Sequence, residues 1–140
     1  EEVGTRGAFA AAFSVTPETA LVLEGTTAAD LPALEPDRQV CWPGKGPVLS
    51  WMDGGAIYDR GLFELLRELA QQNGLPWQIK HYLSGGTDAK AIQRTKAGVR
   101  VAGVSAAVRY LHAPSSVCSI SDAEQMLTLA RLFIRALAER

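Results

Sequence analysis

The chain has 140 residues, with 14 basic and 15 acidic side chains and a formal net charge of −1. The charges form no basic block, which argues against a nucleic-acid-binding surface, and no apolar run approaches the ~20 residues that span a bilayer. Hydrophobic residues make up 47% of the chain, enough for the core of one domain. The two cysteines lack CxxC spacing, so we expect a reduced, cytoplasmic protein, with a single disulfide as the alternative.

The N-terminal segment predicts a sharp turn, a helix and then a strand. Two adjacent acids, Glu1 and Glu2, precede a turn at Gly4 and Gly7 that leads into the helix. The apolar run 19–27 then predicts a buried strand.

The middle of the chain predicts a long loop, a second strand and the clearest helix. The stretch 28–47 contains four prolines and few periodic apolar residues, so it predicts a loop, and loops of this length inside a domain are usually functional. Residues 48–53 predict the strand. Residues 59–74 predict a helix that Asp59 caps and Gly74 ends. Its apolar stripe consists of Leu62, Leu65, Leu66 and Leu69.

The remaining residues predict further strands and helices in alternation. Residues 76–84 predict a strand, and the next helix is expected to start at an N-cap on Thr87 and to end at Gly98. Residues 99–113 supply one or two strands. The last helix is expected to begin at Ser121, in a capping box with Glu124, and to run to the C-terminus. Its buried stripe consists of Met126, Leu129, Ala130, Phe133 and Leu137.

This order of elements predicts an α/β fold, with a mostly parallel mixed sheet and helices on both faces. The acids Glu1 and Glu2 sit where a strand should already be ending, so we expect the first strand of the sheet to precede them. In open α/β sheets, functional groups collect beyond the carboxyl ends of the strands. Besides the two acids, Glu24 and His112 fall at such ends.

Carboxylates and an imidazole at neighbouring strand ends form a candidate metal site. These groups are good ligands for zinc, cobalt or manganese, and a further carboxylate could act as a general base. Simpler interpretations stay open for each of them. The terminal acids could lie in solvent, Glu24 could pair with an arginine, and His112 could cap a turn before Pro114.

Four stretches occur in the same order as the motifs of a known peptidase family. They are EEVGTRGA, LEGTTAADLP, SGGTDAKAIQRTKAGV and VRYLHAP. With these stretches the chain resembles, over nearly its whole length, the M42 family of metalloaminopeptidases, which includes the tetrahedral and glutamyl aminopeptidases. The resemblance implies a three-layer, zinc-peptidase-like α/β domain with two divalent metal ions, zinc or cobalt. It also implies that residues 1–140 form the C-terminal part of one catalytic domain, without its N-terminal part and an inserted β domain.

The resemblance implies a role for each acid and for the histidine. Glu1 matches the general base of the family's Glu-Glu pair, and Glu2 matches a ligand of one metal ion together with His112. Glu24 matches a ligand of the other ion, where many members carry Asp, and a carboxylate one methylene longer is still a competent ligand. We expect Glu1 to take a proton from the attacking water and to deliver it to the leaving amine.

Three further residues are candidates for binding substrate. The resemblance places Thr87 and Asp88 on a loop at the rim of the active site, and a helix N-cap with an acid favoured by the helix dipole is the alternative. Arg109 could pair with a carboxylate of a ligand or of a substrate, and a structural ion pair is the alternative.

The function implied by the resemblance is removal of N-terminal residues from short peptides. Two ligands that the family requires, a His and an Asp, match no residue of this chain, so we expect the chain alone to be inactive. The full-length protein is expected to form a homo-oligomer, possibly a dodecamer, and to bind no nucleic acid or membrane. The alternative is a family remnant without catalysis, acting in assembly or peptide binding. Metal analysis of the full-length protein distinguishes the two.

Overall fold

A computed structural model describes residues 1–83 and 85–139. Its helices are α1 (Arg6–Val15), α2 (Arg60–Gln72), α3 (Ala89–Gln93) and α4 (Ile120–Ala138). Its strands are β1 (Thr19–Thr27), β2 (Val48–Leu49), β3 (Gln78–Ile79), β4 (Arg100–Arg109) and β5 (Val117–Cys118). Among the described residues, no helix has both the length and the apolar character needed to cross a membrane.

The strands form one mixed sheet in the order β1-β4-β2-β3, with β5 paired to β4. The longest pairing joins β1 and β4 in parallel, from Thr19 opposite Arg100 to Thr27 opposite Val108. The strands β2 and β3 are parallel to each other, whereas β2 and β5 are antiparallel to β4. The prediction of an α/β fold with a mixed sheet is therefore confirmed.

Helices cover both faces of β4, which explains why this strand reads as an almost continuous apolar run. Successive side chains of a strand point to opposite faces, so Ala102 and Val104 pack against one pair of helices, and Val101 packs on the other face. The first face is covered by α2 and α4, through Leu62, Leu66, Leu129 and Phe133. The second face is covered by α3, against which α1 packs, and its core consists of Val22, Ala56, Tyr58, Ala89 and Val101.

The two long helices pack the predicted stripes against the core, with Leu69, Met126 and Leu137 only partly buried. One of the two predicted N-caps is confirmed and the other is not. Asp59 caps α2, and its side chain accepts a hydrogen bond from the amide of Leu62. The prediction that Ser121 caps α4 is wrong, because Ser119 is the N-cap and accepts from the amide of Asp122. Ser121 instead lies in the first turn, where its hydroxyl accepts from the Gln125 side chain. The predicted final residue of this helix, Arg140, lies outside the described residues.

Two predicted strands and one predicted helix are shorter than expected. The strand predicted over 48–53 ends at Leu49, because the chain then turns back on itself through a bridge between Met52 and Ile57. The strand predicted over 76–84 pairs only at its centre, since the amide of His81 bonds to the loop that contains Val40; its last predicted residue lies outside the described residues.

The short helix α3 also begins one residue later than predicted. Asp88 occupies the N-cap position, and the side chain of Thr87 accepts a hydrogen bond from the amide of Ala89. The helix ends at Gln93, since the following residues form a turn in which Lys96 adopts a positive φ.

Candidate active site

An open cleft of about 630 Å³ lies along the carboxyl-terminal half of β1. Its walls include most of the residues that the sequence singles out, namely Glu1, Glu2, Glu24, Asp88 and His112. Concave sites of this size commonly bind small ligands. The fold therefore brings together four separate segments of the chain at the place where an α/β sheet is expected to carry its site.

Glu2 and His112 are in direct contact although they lie at positions 2 and 112 of the 140-residue chain. Oε1 of Glu2 is 2.9 Å from Nε2 of His112, and both side chains are about two-thirds exposed, at 69% and 66%. The turn after β4 makes this contact possible, because Tyr110 and His112 both adopt positive φ values, 59° and 64°. Non-glycine residues at positive φ are uncommon and cluster at functional sites, so this turn is a second sign of a site here.

A tight turn positions the two acids at the start of the chain. The carbonyl oxygen of Glu1 accepts hydrogen bonds from the amides of Gly4 and Thr5, at 3.0 and 2.9 Å. Gly4 has a φ of +98°, which favours glycine, and α1 begins immediately afterwards at Arg6. The expected turn is confirmed at Gly4, whereas Gly7, predicted to lie in it, is already the second residue of α1. The turn fixes the backbone from which both carboxylates reach the cleft.

Glu24 is the most perturbed acid in the cleft. It lies opposite Ser105 in the parallel pairing of β1 and β4, and Oγ of Ser105 makes a long contact of 3.5 Å with its carboxylate. Burial raises the pKa of Glu24 to about 7, with Asp53 and Glu1 adding like charge and Lys80 opposing the shift. A carboxylate of this kind, in a cleft beside other acids, is typical of functional sites.

The sequence did not single out Lys80, which lines the cleft. The strand pattern predicts apolar residues inside, yet Ile79 is 39% exposed whereas its polar neighbours Gln78 and Lys80 are each 8% exposed. The inward side chain of Gln78 bonds to the backbone of Trp42 and Gly46. The alternation of apolar and polar residues in this strand therefore predicts the opposite direction for Lys80, and no other pattern in the sequence marks it.

Two of the three candidate substrate-binding residues do not line the cleft. Arg109 forms a bidentate ion pair with Asp30, which joins β4 to the start of the long loop. The Thr87 side chain lies behind the cleft wall, where it is 2% exposed and contacts the hydroxyl of Tyr58. Only Asp88 faces the cleft, and its buried Oδ1 has no hydrogen-bond partner among the described residues.

The fold and its structural relatives define an α/β domain of the aminopeptidase type. An aminopeptidase from the archaeon Desulfurococcus kamchatkensis superposes with a TM-score of 0.92 at 33% identity, covering 96% of this chain and 38% of that chain. The TET1 peptidase of Pyrococcus horikoshii, which can assemble into a tetrahedron or a large octahedral shell, has a TM-score of 0.74 at 32% identity, covering 94% of this chain and 37% of that one.

The chain belongs to the M42 glutamyl aminopeptidase family, which matches residues 1–129. A putative aminopeptidase of Acetivibrio thermocellus is 36% identical over 129 residues, which is 92% of this chain and 38% of the relative. The chain thus spans little more than a third of the length of the relatives that it matches. The resemblance found in the four sequence motifs is therefore confirmed at the level of the family.

Proposed function

We propose that the protein containing this chain is a metal-dependent aminopeptidase that removes N-terminal residues from short peptides. The observation that carries the proposal is the contact between Glu2 and His112, whose Oε1 and Nε2 atoms lie 2.9 Å apart. Glu1 and Glu24 line the same cleft, so the four residues that match the family's base and ligands share one site. Membership of a family of aminopeptidases supports the same activity.

The donor chemistry of the cleft fits part of a two-metal site. A carboxylate touching an imidazole is a ligand pair that zinc and cobalt accept, and Glu24 adds a separate carboxylate. Over residues 1–83 and 85–139, no group of three or more His, Cys, Asp or Glu side chains is arranged to hold an ion. We propose that Glu2 and His112 hold one ion and Glu24 holds the other, with the missing ligands supplied by the rest of the protein.

When bound, two such ions lower the pKa of water and polarise the scissile carbonyl. The residues of this chain would perform the proton transfers and orient the substrate. Glu1 accepts a proton from the attacking water while the water oxygen bonds to the carbonyl carbon. Glu1 then returns that proton to the amine nitrogen as the C–N bond breaks. Asp88 is the one candidate substrate-binding residue that lines the cleft, so it is the residue of this rim best suited to contact the substrate.

The proposal is tested by metal analysis and aminopeptidase assays on the whole protein. We expect two ions per chain and turnover of chromogenic aminoacyl substrates with zinc or cobalt. Glu1→Gln should keep both ions and lower kcat by about 10²- to 10⁴-fold, whereas His112→Ala should lower the metal content. Glu35→Gln and His81→Ala are matched controls, because both residues are exposed and neither lines the cleft.

Two other outcomes would contradict this function. A whole protein that binds no ion at saturating zinc or cobalt would instead be a family remnant, acting in assembly or peptide binding. Equal loss of activity in His81→Ala and His112→Ala would show that the cleft is not the site.

We propose further that the isolated chain hydrolyses no peptide. It would offer one ion a single ligand, Glu24, and the other ion only Glu2 and His112, whereas catalytic zinc sites usually have three protein ligands. A colorimetric assay of the isolated chain with added cobalt tests this, and robust turnover would overturn it.

We also propose that the whole protein is a homo-oligomer, because a relative assembles into closed shells. Sedimentation of the whole protein tests this, and a monomer at micromolar concentration would contradict it.

A further inference from the structure

A buried chain of hydrogen bonds lies behind one wall of the cleft. The wall is formed by residues 85–88, here called the rim segment, of which Gly85, Gly86 and Asp88 line the cleft. Between them the side chain of Thr87 points away from the cleft into the protein, with 2% of the residue exposed. Its Oγ1 atom lies 3.0 Å from the hydroxyl of Tyr58, which is itself 5% exposed.

The chain of hydrogen bonds ends on the carboxylate of Asp53, which is 5% exposed. Its Oδ1 accepts from the amides of Gly55 and Ala56, at 2.7 and 2.8 Å, and its Oδ2 accepts from the Tyr58 hydroxyl at 2.8 Å. Three donors thus converge on one buried acid, which supplies acceptors only. The turn that carries Asp53 is therefore locked to the ring of Tyr58.

The direction of each hydrogen bond follows from the carboxylate of Asp53, which can only accept. Because Tyr58 donates its proton to Asp53, its oxygen must accept from Thr87. Thr87 in turn accepts from the amide of Ala89, at 3.1 Å. All bonds point toward Asp53, so neighbouring bonds polarise one another. Burial raises the pKa of Tyr58, which keeps the hydroxyl protonated as this arrangement requires.

Two glycines show that the packing around this network is close. A Cβ on Gly103 of β4 would lie 2.6 Å from Cε1 of Tyr58, so only glycine leaves room for the ring. The amide of Gly54 donates to the carbonyl of Gly85 at 2.8 Å, and a Cβ on Gly54 would lie 2.6 Å from that oxygen. The rim segment is therefore held at two points, by a backbone bond at Gly85 and by the Tyr58 hydroxyl at Thr87.

We propose that Tyr58 is a positioning residue for the peptidase reaction, whose hydroxyl fixes the rim segment in the place where it meets the substrate. This inference rests on the proposed aminopeptidase function. Tyr58 does not line the cleft, and its hydroxyl reaches the rim segment through Thr87. Loss of its hydroxyl should therefore weaken substrate binding while leaving the proton transfers at Glu1 in place.

The experiment compares Tyr58→Phe with Tyr110→Phe in the whole, metal-loaded protein. Both changes remove one hydroxyl and keep the ring. Tyr110 is 62% exposed and does not line the cleft, and only its backbone takes part in the turn that carries His112. Its hydroxyl makes no hydrogen bond among the described residues, so its loss leaves that turn in place. We expect Tyr58→Phe to raise KM roughly tenfold, the size of effect typical of an unpaired buried group, with kcat changed less than about twofold. Tyr110→Phe should leave both constants unchanged.

A second variant keeps the test decisive if Tyr58→Phe folds poorly. Thr87→Val removes the partner hydroxyl with little change in volume and should raise KM by a similar factor. Because the two hydroxyls act through one bond, the double variant should be no worse than either single variant. Amide hydrogen exchange provides a readout that needs no activity, and the peptide covering residues 85–93 should exchange faster in Tyr58→Phe than in Tyr110→Phe.

Each outcome decides the inference. Faster amide exchange of residues 85–93 in Tyr58→Phe with an unchanged KM would show that the hydroxyl has only a structural role. Additive effects of Tyr58→Phe and Thr87→Val on KM would show that the two hydroxyls do not act through one bond. Either result overturns the positioning role. An inactive wild-type protein would overturn the proposed function instead, and the exchange measurement alone would then decide whether Tyr58 holds the rim segment.

Discussion

Replacing Asp122 measures how strongly the first turn of α4 holds the glycine-rich loop before β2. Asp122 is 1% exposed, and its two carboxylate oxygens accept from the amides of Gly44 and Gly46, at 2.7 and 3.0 Å. Asp122→Asn keeps the shape but turns one acceptor into a donor that faces an amide N–H. Losing one charge-assisted bond costs about 1.5–3 kcal/mol, and losing a negative charge at a helix N-terminus costs about 0.3–1 kcal/mol.

We therefore expect Asp122→Asn to lower the free energy of unfolding by about 2–4 kcal/mol. Asp122→Ala, which leaves both amides without a partner, should cost about 3–5 kcal/mol. Urea unfolding followed by tryptophan fluorescence gives these values, because Trp42 lies in the affected loop.

Glu124→Gln is the matched control, since it removes the same charge from an exposed site on the same helix and should cost less than about 0.5 kcal/mol. If Asp122→Asn were as stable as this control, the carboxylate would not be what holds the loop.

Two further predictions concern a glycine and an ion pair. Gly46→Ala should destabilise the fold by about 2 kcal/mol more than Gly44→Ala; both glycines have a φ of +87°, but only at Gly46 would a Cβ meet another residue, 2.4 Å from the carbonyl of Pro76. The hydrogen bond from Arg109 lowers the pKa of Asp30 in the folded protein. The ion pair therefore stabilises the fold fully above the ordinary pKa of Asp, about 3.9, and this stabilisation is lost as the pH falls through the lowered pKa of the folded state. Arg109→Gln should accordingly lower Tm at pH 7 but not in strong acid, and a Tm difference that persists there would contradict this.

Features that depend on neighbouring residues in the sequence were predicted well. The bounds of β1 agree with the apolar run, and α2 buries its leucine stripe and is capped by Asp59 as expected. The N-cap of α4 was missed because two overlapping signals exist, Ser119 three residues before Asp122 and Ser121 three residues before Glu124. The structure has the first of these N-caps. In it Asp122 lies in the first turn of α4 and accepts hydrogen bonds from the glycine-rich loop, a tertiary contact that the local sequence does not show.

The short strands show a second limit of reasoning from sequence. Residues 76–84 read as one strand, yet only Gln78–Ile79 pairs in the sheet. The loop before β2 takes the neighbouring hydrogen bonds, with the amide of His81 bonded to Val40 and the side chain of Gln78 to Trp42. A loop that competes for backbone donors leaves no periodic pattern, so neither the end of β3 nor the inward direction of Lys80 could be foreseen.

In the candidate site, too, the residues themselves could be predicted from the sequence but their surroundings could not. The ordered motifs identified Glu1, Glu2, Glu24 and His112, and the fold brings all four to one cleft, although their chemical roles stay predictions. The environment of Glu24 could not be read from its motif, since the like charge of Asp53 and the opposing charge of Lys80 come from other segments. A half-buried acid whose pKa is raised to about 7 costs folding free energy at neutral pH. Acids held in this way are typical of functional sites, so the surroundings of Glu24, rather than its motif, are what connect this residue to the chemistry of the cleft.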